Sequence, residues 1–194
     1  MAITITKSAS ITSWDSTPIV EVTTGEGSGG FLKSVNDTVT GPASGTIGDI
    51  YRFCRIPTNA KLKRVGLVIT TTATAGAADI DVAFSDSTVD GTPQSLATLA
   101  NPVVQLTGPA DNKLFGSTKA LTALILVDTD VTFAGTAFTF TPAHQNLPLW
   151  QVLVNLGATQ FTADPGGYFD IVMKVTTVPT VTPPVIGIKV DYVE

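Results

Sequence analysis

Apolar and polar residues alternate along much of the chain, and this alternation predicts β-strands. In "ADIDVAFSD", Ile80, Val82 and Phe84 lie on one face, and the intervening Asp79 and Asp81 lie on the other. The segments "GYFDIVMKVTT" and "PVIGIKVDYVE" repeat the pattern. Because successive side chains of a strand point to opposite faces, each segment is predicted to bury one face and to expose the other to water.

Other segments predict further strands. "LKRVGLVITT", "ALTALILVD" and "VTFAGTAFTF" are strand-like, the first two more fully apolar, while "AITITKS" and "PIVEVTT" are weaker candidates. Turn-forming clusters such as "DGTP", "TGPADN" and "DPGG" separate these runs. Short strands between turns, with no alternation between strands and long helices, predict an all-β fold, namely an antiparallel β-sandwich or jelly roll.

One segment, "NLPLWQVLVNLGA", departs from the period of two. Leu147, Trp150 and Val154 follow a helical spacing and form an apolar stripe. Pro148 suits the first turn of a helix, and Gly157 suits the position just past its last residue. We therefore predict a short, largely buried helix near 147–157, lying across one end of the sandwich.

The first 45 residues differ in composition from the rest of the chain. They are rich in Gly, Ser and Thr, and they contain "GEGSGG", which is typical of a flexible joint. We predict an N-terminal arm or extra hairpin over 1–45 and a β-sandwich (jelly-roll) domain over 46–194. The chain starts without a secretory signal pattern, and its longest aliphatic run, "ALILV", is far shorter than the about 20 residues that cross a bilayer. We expect a soluble protein that is made in a reducing cytoplasm.

Charge is scarce in this protein. Charged residues make up 14% of the 194 residues, the net charge is −5, and 31 residues are threonine. Charged residues are depleted at the cores of protein interfaces. A surface rich in threonine and poor in charge therefore favours a protein that works within an assembly.

The residues that usually carry chemistry form no catalytic pattern. Cys54 and His144 are the single cysteine and the single histidine, and no Gly-x-Ser-x-Gly motif is present. We expect Cys54 to be buried and His144 to be exposed or to cap a turn. The pairs Asp79/Asp81 and Asp128/Asp130 could begin a calcium site, but calcium takes six to eight ligands, so solvated faces are the better interpretation. The prediction is a protein without catalytic residues, metal or cofactor.

A basic block stands out in this acidic chain. The segment "YRFCRIPTNAKLKRVGLVI", at 51–69, holds five of the eleven basic residues. They are Arg52, Arg55, Lys61, Lys63 and Arg64. Strand alternation places Arg52 and Cys54 on one face and Arg55 on the other. The block could be the solvated flank of a hairpin, an edge that meets an acidic neighbour, or a nucleic-acid contact, and the sequence pI of about 4.7 disfavours the last.

Five segments occur in an order that resembles a family of tailed-phage structural proteins. They are "GDIYRFCRIPTNAKLKRVGL", "AGAADIDVAF", "LPLWQVLVNLGA", "ADPGGYFDIVMKV" and "GIKVDYV". Together they extend from about Gly48 to Glu194. In order and spacing the chain resembles the small jelly-roll capsid decoration, or cement, proteins that are encoded near the major capsid gene.

The resemblance implies a function as well as a fold. It implies a virion structural protein, made in the host cytoplasm, whose β-sandwich subunit forms a homotrimer on the outer capsid surface. Its partners would be the major capsid protein and its own copies, without nucleic acid, membrane, cofactor or catalytic residue. It would stabilise the shell by bridging capsid subunits, with the basic block facing an acidic patch on the capsid or on a sister subunit.

Two other functions remain open at this point. The first is a receptor- or carbohydrate-binding tail or fibre module, which would use exposed aromatic side chains. The candidates are Trp14, Tyr51, Tyr168 and Tyr192. The second is a main coat subunit, but such a subunit often carries a strongly basic arm, and the first 45 residues contain only Lys7 and Lys33 as basic residues.

Overall fold

The computed structural model describes most of the chain. The described residues are 5–7, 12, 32–42, 45–85, 103, 104, 106, 113–136, 138 and 140–194. The strands are β1 (Ile5–Lys7), β2 (Leu32–Thr40), β3 (Ile50–Pro57), β4 (Lys61–Thr71), β5 (Ala75–Phe84), β6 (Gly116–Ala120), β7 (Ile125–Asp130), β8 (Tyr168–Thr180) and β9 (Val185–Val193). A 3-10 turn spans Pro142–Asn146, and the helix α1 spans Leu149–Asn155. Within these residues, no helix is both long enough and apolar enough to cross a bilayer.

The strands form two sheets that pack face to face. One sheet has the order β1-β3-β8-β5-β6, and the other has the order β2-β9-β4-β7. Neighbours pair antiparallel, except that β1 pairs with β3 in parallel. Without β1, the strand orders of the two sheets are β3-β8-β5-β6 and β2-β9-β4-β7. These are the strand orders of an eight-stranded jelly roll. The all-β sandwich predicted from the sequence is therefore confirmed.

Part of the first 45 residues belongs to the sandwich itself. The whole of β2 pairs with β9, from Leu32 opposite Val193 to Thr40 opposite Val185. β1 pairs with the start of β3. The arm or extra hairpin predicted over 1–45 stays a prediction for the remaining residues of that segment, and "PIVEVTT" lies outside the described residues.

The core lies between the inner faces of the two sheets. In β9, the predicted alternation is confirmed, because the apolar residues are buried and those between them are half-buried. The buried side chains of this strand are Ile186, Ile188, Val190 and Tyr192. Those of β8 on the same core are Phe169, Ile171, Met173 and Val175. Burial of each such side chain contributes about 1.5 to 3 kcal/mol, so this alternation supplies much of the stability of the fold.

The outer face of the five-stranded sheet is covered, and the predicted wet face of β5 is wrong. Asp79 and Asp81 are buried there. The Asp81 carboxylate accepts the backbone N–H groups of Leu114 and Lys113, at 2.9 and 3.2 Å, and Asp79 Oδ1 accepts that of Thr118 at 2.6 Å. A second apolar cluster covers the same face; it comprises Ile50, Ala83, Val103 and Val172. Backbone donors satisfy the Asp81 carboxylate and one oxygen of Asp79, which lowers the cost of burying these two side chains.

The helix forms where the sequence predicts it. Leu149, Val152 and Leu153 are its buried residues, and Gly157 follows it with a φ of 94°. A positive φ suits glycine and ends the helix. The N–H groups of Leu149 and Trp150 donate to carbonyl oxygens at the β3–β4 turn, which attaches α1 to that end of the sandwich.

The described residues of "VTFAGTAFTF" form no strand, which corrects the prediction. Residues 131–136 form a turn in which the Ala134 N–H donates to the Val131 carbonyl oxygen at 3.0 Å. The apolar pattern instead reflects burial, since Phe140 is buried and its ring centroid lies 5.6 Å from that of Phe115. Tilted aromatic pairs of this kind stabilise a core without requiring a strand.

Candidate partner-binding surfaces

The basic block contains two buried arginines that share one carboxylate. Between Arg52 and Arg55, β3 advances three residues while its partner β8 advances two, from Val172 to Asp170. This β-bulge turns both arginines toward Asp170. Arg52 Nη1 lies 2.5 Å from Asp170 Oδ2, and Arg55 Nε lies 2.8 Å from Oδ1. A second nitrogen of Arg52 donates to the Phe84 carbonyl oxygen at 2.6 Å.

The burial of these arginines corrects two predictions. Arg52 and Arg55 do not lie on opposite faces of β3, because the bulge changes the alternation. Their side chains and that of Asp170 are at most 3% exposed, so neither arginine offers its charge to a partner on the surface of this structure. The cost of removing such charges from water can equal the gain from pairing them, so a buried ion pair is weak evidence for net stability. The exposed part of the predicted block is therefore reduced to the start of β4.

The remaining basic residues lie along the start of β4. Lys61 is exposed. Lys63 Nζ donates to the Gln145 carbonyl oxygen at 2.6 Å, and the Gln145 side chain donates back to the Lys63 carbonyl oxygen. Arg64 is 27% exposed and lies 2.5 Å from Asp128 on β7. These contacts hold β4 to its neighbours, and a partner contact for the three residues stays a prediction.

Cys54 is buried, as the sequence predicts. Its Sγ lies 3.3 Å from the Ile188 carbonyl oxygen. Burial raises the pKa of the Cys54 thiol well above its usual range, and the charges of Asp37 and Asp170 raise it further. The reactive form of cysteine is the thiolate, so this position is unsuited to a nucleophile.

The raised pKa of Cys54 makes stability depend on pH. In the unfolded chain the thiol loses its proton above about pH 8.5, whereas the folded protein retains it. The stabilisation is present below that pH and is lost as the pH rises above it. We expect the free energy of unfolding to fall by about 1 kcal/mol between pH 8 and 9.5, as measured by urea denaturation. The variant Cys54→Ala should lack this slope, and equal slopes in the two proteins would contradict the prediction.

His144 caps the 3-10 turn. Its Nδ1 accepts the backbone N–H of Thr141 at 3.1 Å, and its ring packs edge-on against Phe140. This confirms the expected capping role. Within the described residues, no three His, Cys, Asp or Glu side chains are grouped closely enough to hold a metal ion. Asp128 and Asp130 both lie near Arg64 instead, and Asp130 Oδ1 accepts the Thr132 N–H and hydroxyl.

The largest exposed apolar side chains include those of the edge strand β7. Leu126 and Val127 are 69% and 78% exposed. Between the pairs Ile69–Ile125 and Leu67–Thr129, β4 advances two residues while β7 advances four. Two extra residues therefore protrude from the sheet at this point, next to Leu124, which is 56% exposed. Apolar side chains grouped on a surface indicate an interaction site.

A shallow groove lies on the outer face of the four-stranded sheet. It has a volume of about 390 Å³, and Gly187 lies among the residues of its lining. The lining residues are Asn36, Asp37, Thr38, Val68, Thr70, Asp128, Gly187, Ile188 and Lys189. This lining contains no aromatic side chain and charges of both signs. It lacks the stacking surface that sugars usually require.

The exposed apolar residues of β7 are not predicted from the sequence. The run "ALILV" predicts a strand in a mostly apolar environment, yet it lies at the irregular edge of the sheet. The signal that could have found it is the combination of that run with the polar residues "DTD" directly after it. An apolar run that stops so abruptly fits a short edge strand as well as a buried one.

Comparison with known proteins gives a structural similarity but no sequence match. No protein-family model matches the chain, and no curated protein matches it. Among solved structures, the chain is similar to a chain of the capsid of Ralstonia phage GP4. The sequence identity is 15% and the TM-score is 0.44, and the match covers 98% of this chain and 97% of that chain.

Proposed function

We propose that this chain is a virion structural protein, and specifically a decoration or cement protein on the outer surface of a tailed-phage head. The observation that carries the proposal is the edge strand β7, which exposes Leu126 and Val127 on a protein in which Cys54 is buried and His144 caps a turn. Exposed apolar side chains grouped in this way indicate a surface that binds proteins, whether further copies of this chain or the subunits of a shell. The order of the five sequence segments indicates which kind of protein.

The charge of the molecule supports the same role. A protein that is poor in charge loses little when it docks, because few unpaired ions have to be buried. Many copies on one shell also add weak contacts together, so each contact can be modest. Lys61, Lys63 and Arg64 then face an acidic patch on the shell, which makes binding stronger at low salt.

The alternative of a carbohydrate-binding module loses two of its candidate residues. Tyr51 and Tyr192 are buried, at 0% and 7% exposure. Burial is also the main cause that raises the pKa of Tyr51 to about 12, with the charge of Asp49 second. Tyr168 is half-buried, and Trp14 lies outside the described residues. A stacking platform requires exposed rings, so the described structure favours protein contacts over sugar contacts.

The proposal is tested on phage particles whose gene for this chain has been deleted. We expect heads to assemble without the protein and to release their genome at a lower temperature than wild-type heads. Purified protein added to these particles should bind them, more tightly at low salt, and should restore the normal temperature. Genome release is measured by the fluorescence of a dye that binds DNA.

Other results would contradict the proposal in distinguishable ways. Particles that adsorb poorly to cells but release their genome at the normal temperature would indicate the tail or fibre module. Complete failure to form heads would indicate a main coat subunit. Normal particles that never bind the purified protein would exclude a decoration role.

A further inference from the structure

We propose that one end of the sandwich is the surface through which copies of this chain associate. This end is formed by the β2–β3, β4–β5, β6–β7 and β8–β9 connections, and we call it the uncharged end. The proposal deepens the proposed function, because it assigns a surface to the contact between copies. It is argued from the strand register, the charges and the backbone of the described residues.

The strand register brings the four connections together. The ends of β2 and β4 both meet the start of β9, since Thr40 and Thr71 lie opposite Val185. The start of β5 meets the end of β8, where Ala75 lies opposite Thr180. Hydrogen bonds join the connections directly. The Gly41 N–H donates to the Pro184 carbonyl oxygen, and the Thr74 N–H donates to that of Thr180.

Three of these connections present a large apolar side chain to solvent. Ile47 is 65% exposed in the β2–β3 connection, Leu124 is 56% exposed in the β6–β7 connection, and Val181 is 77% exposed in the β8–β9 connection. Leu126 and Val127 follow directly along β7. Five of the seven large apolar side chains that the described residues expose therefore lie at this end or next to it.

The same end carries almost no charge. The four connections, residues 41–49, 72–74, 121–124 and 181–184, contain one charged residue, Asp49. Asp49 is 1% exposed, and its carboxylate accepts the Thr46 N–H at 2.7 Å. The opposite end differs, because Lys61 is exposed there and Lys33 pairs with Glu194. Exposed charge is therefore absent from one particular surface of the described chain.

The backbone at Val181 helps to hold its side chain in the exposed position. Its φ is 70°, a conformation that β-branched residues rarely adopt. Such strain persists where the surrounding structure imposes it, and it is concentrated at functional sites. Here the Thr182 N–H donates to the Thr180 carbonyl oxygen across the turn, and the Val181 side chain is 77% exposed.

The distribution of charge favours a second copy of this chain as the molecule that binds this surface. Each copy has a net charge of −5, so identical molecules repel one another wherever their exposed acidic residues approach. Contact through the uncharged end avoids that repulsion and buries no unpaired ion. A shell protein with a complementary charge would instead bind the opposite end, where Lys61 is exposed.

The test compares substitutions at the two ends in the full chain. Light scattering of the wild-type protein should give a mass that is a multiple of 20.1 kDa and that falls on dilution. In the variants Leu124→Glu and Val181→Glu, self-association should weaken at least about tenfold, because each copy places a charge in the contact. The matched control Leu32→Glu changes a side chain that is 64% exposed at the opposite end, and it should keep the wild-type mass.

A milder pair of variants, Leu124→Thr and Val181→Thr, covers the case in which the charged variants fold poorly, and it should also weaken the association. A wild-type protein that is monomeric at all concentrations would overturn the proposal. So would variants that keep the wild-type mass. If those variants also failed to bind particles, the shell protein would occupy this end, and the decoration function would stand without the self-association surface.

Discussion

Replacing Asp170 with asparagine is expected to lower the free energy of unfolding by about 3 to 5 kcal/mol. The substitution removes the carboxylate that lies between the buried guanidinium groups of Arg52 and Arg55. Among the described residues Arg52 Nε has no hydrogen-bond partner, so without Asp170 little remains to compensate this cation. A domain of this size has a stability of about 5 to 15 kcal/mol, so the variant should unfold near the growth temperature.

A surface ion pair provides the matched control. Asp128→Asn removes a carboxylate from Arg64, but the two side chains are 33% and 27% exposed. Exposed pairs contribute about 0 to 1 kcal/mol, so urea denaturation should show a small change. The triple variant Arg52→Met, Arg55→Met and Asp170→Leu should recover part of the lost stability, since it leaves no uncompensated charge in the cluster. Similar losses for Asp170→Asn and Asp128→Asn would refute the interpretation.

The arginine cluster shows where prediction from the sequence fails. The sequence predicts correctly that this segment forms a strand. However, an extra residue between Arg52 and Arg55 changes which side chains share a face. A bulge depends on pairing with β8, which lies more than a hundred residues further along the chain. Local periodicity carries no information about that pairing, so the sequence predicts a basic surface where the structure has a buried cluster.

The sequence pattern does not distinguish a strand that buries one face from a strand that buries both. The alternation of β9 predicts burial correctly, because its outer face is open enough to leave Lys189 and Asp191 half-buried. The alternation of β5 looks the same, yet Asp79 and Asp81 are buried. The difference is that residues 113–118 supply backbone donors to the outer face of β5. Polar residues in a strand predict a polar environment. For β9 this environment is solvent, and for β5 it is a set of backbone N–H groups.

The exposed apolar residues show the opposite error. A run such as "ALILV" favours a buried strand, since burial of apolar surface stabilises the fold. In the structure Leu126 and Val127 lie at an irregular edge instead. Natural proteins usually protect such edges with charge or proline. Leu126 and Val127 lack this protection, because the two charged residues of β7, Asp128 and Asp130, lie further along the strand near Arg64. This is the reason to infer that another molecule covers the apolar part of the edge.

Replacing Gly135 with alanine is expected to destabilise the protein by about 3 kcal/mol. A Cβ at this position would lie 2.5 Å from the carbonyl oxygen of Phe138, 2.8 Å from that of Lys113, and closer still to that of Leu114. These are backbone atoms, so the clash cannot be relieved by a change of rotamer. The segment around Lys113 must move, and the N–H groups that satisfy the buried Asp81 move with it.

Gly187→Ala is the control for this substitution, because its Cβ would meet Thr38 Cγ2 at 3.4 Å, an ordinary van der Waals contact. Urea denaturation should therefore give a large loss for Gly135→Ala and little change for Gly187→Ala. Hydrogen exchange adds a local readout, since the Leu114 N–H should lose its protection when it separates from Asp81. If the Leu114 N–H stayed protected in a destabilised Gly135→Ala variant, the clash would be relieved elsewhere. Because residues 131–136 follow β7 directly, the packing at Gly135 helps to fix where the chain turns away and leaves the edge strand exposed.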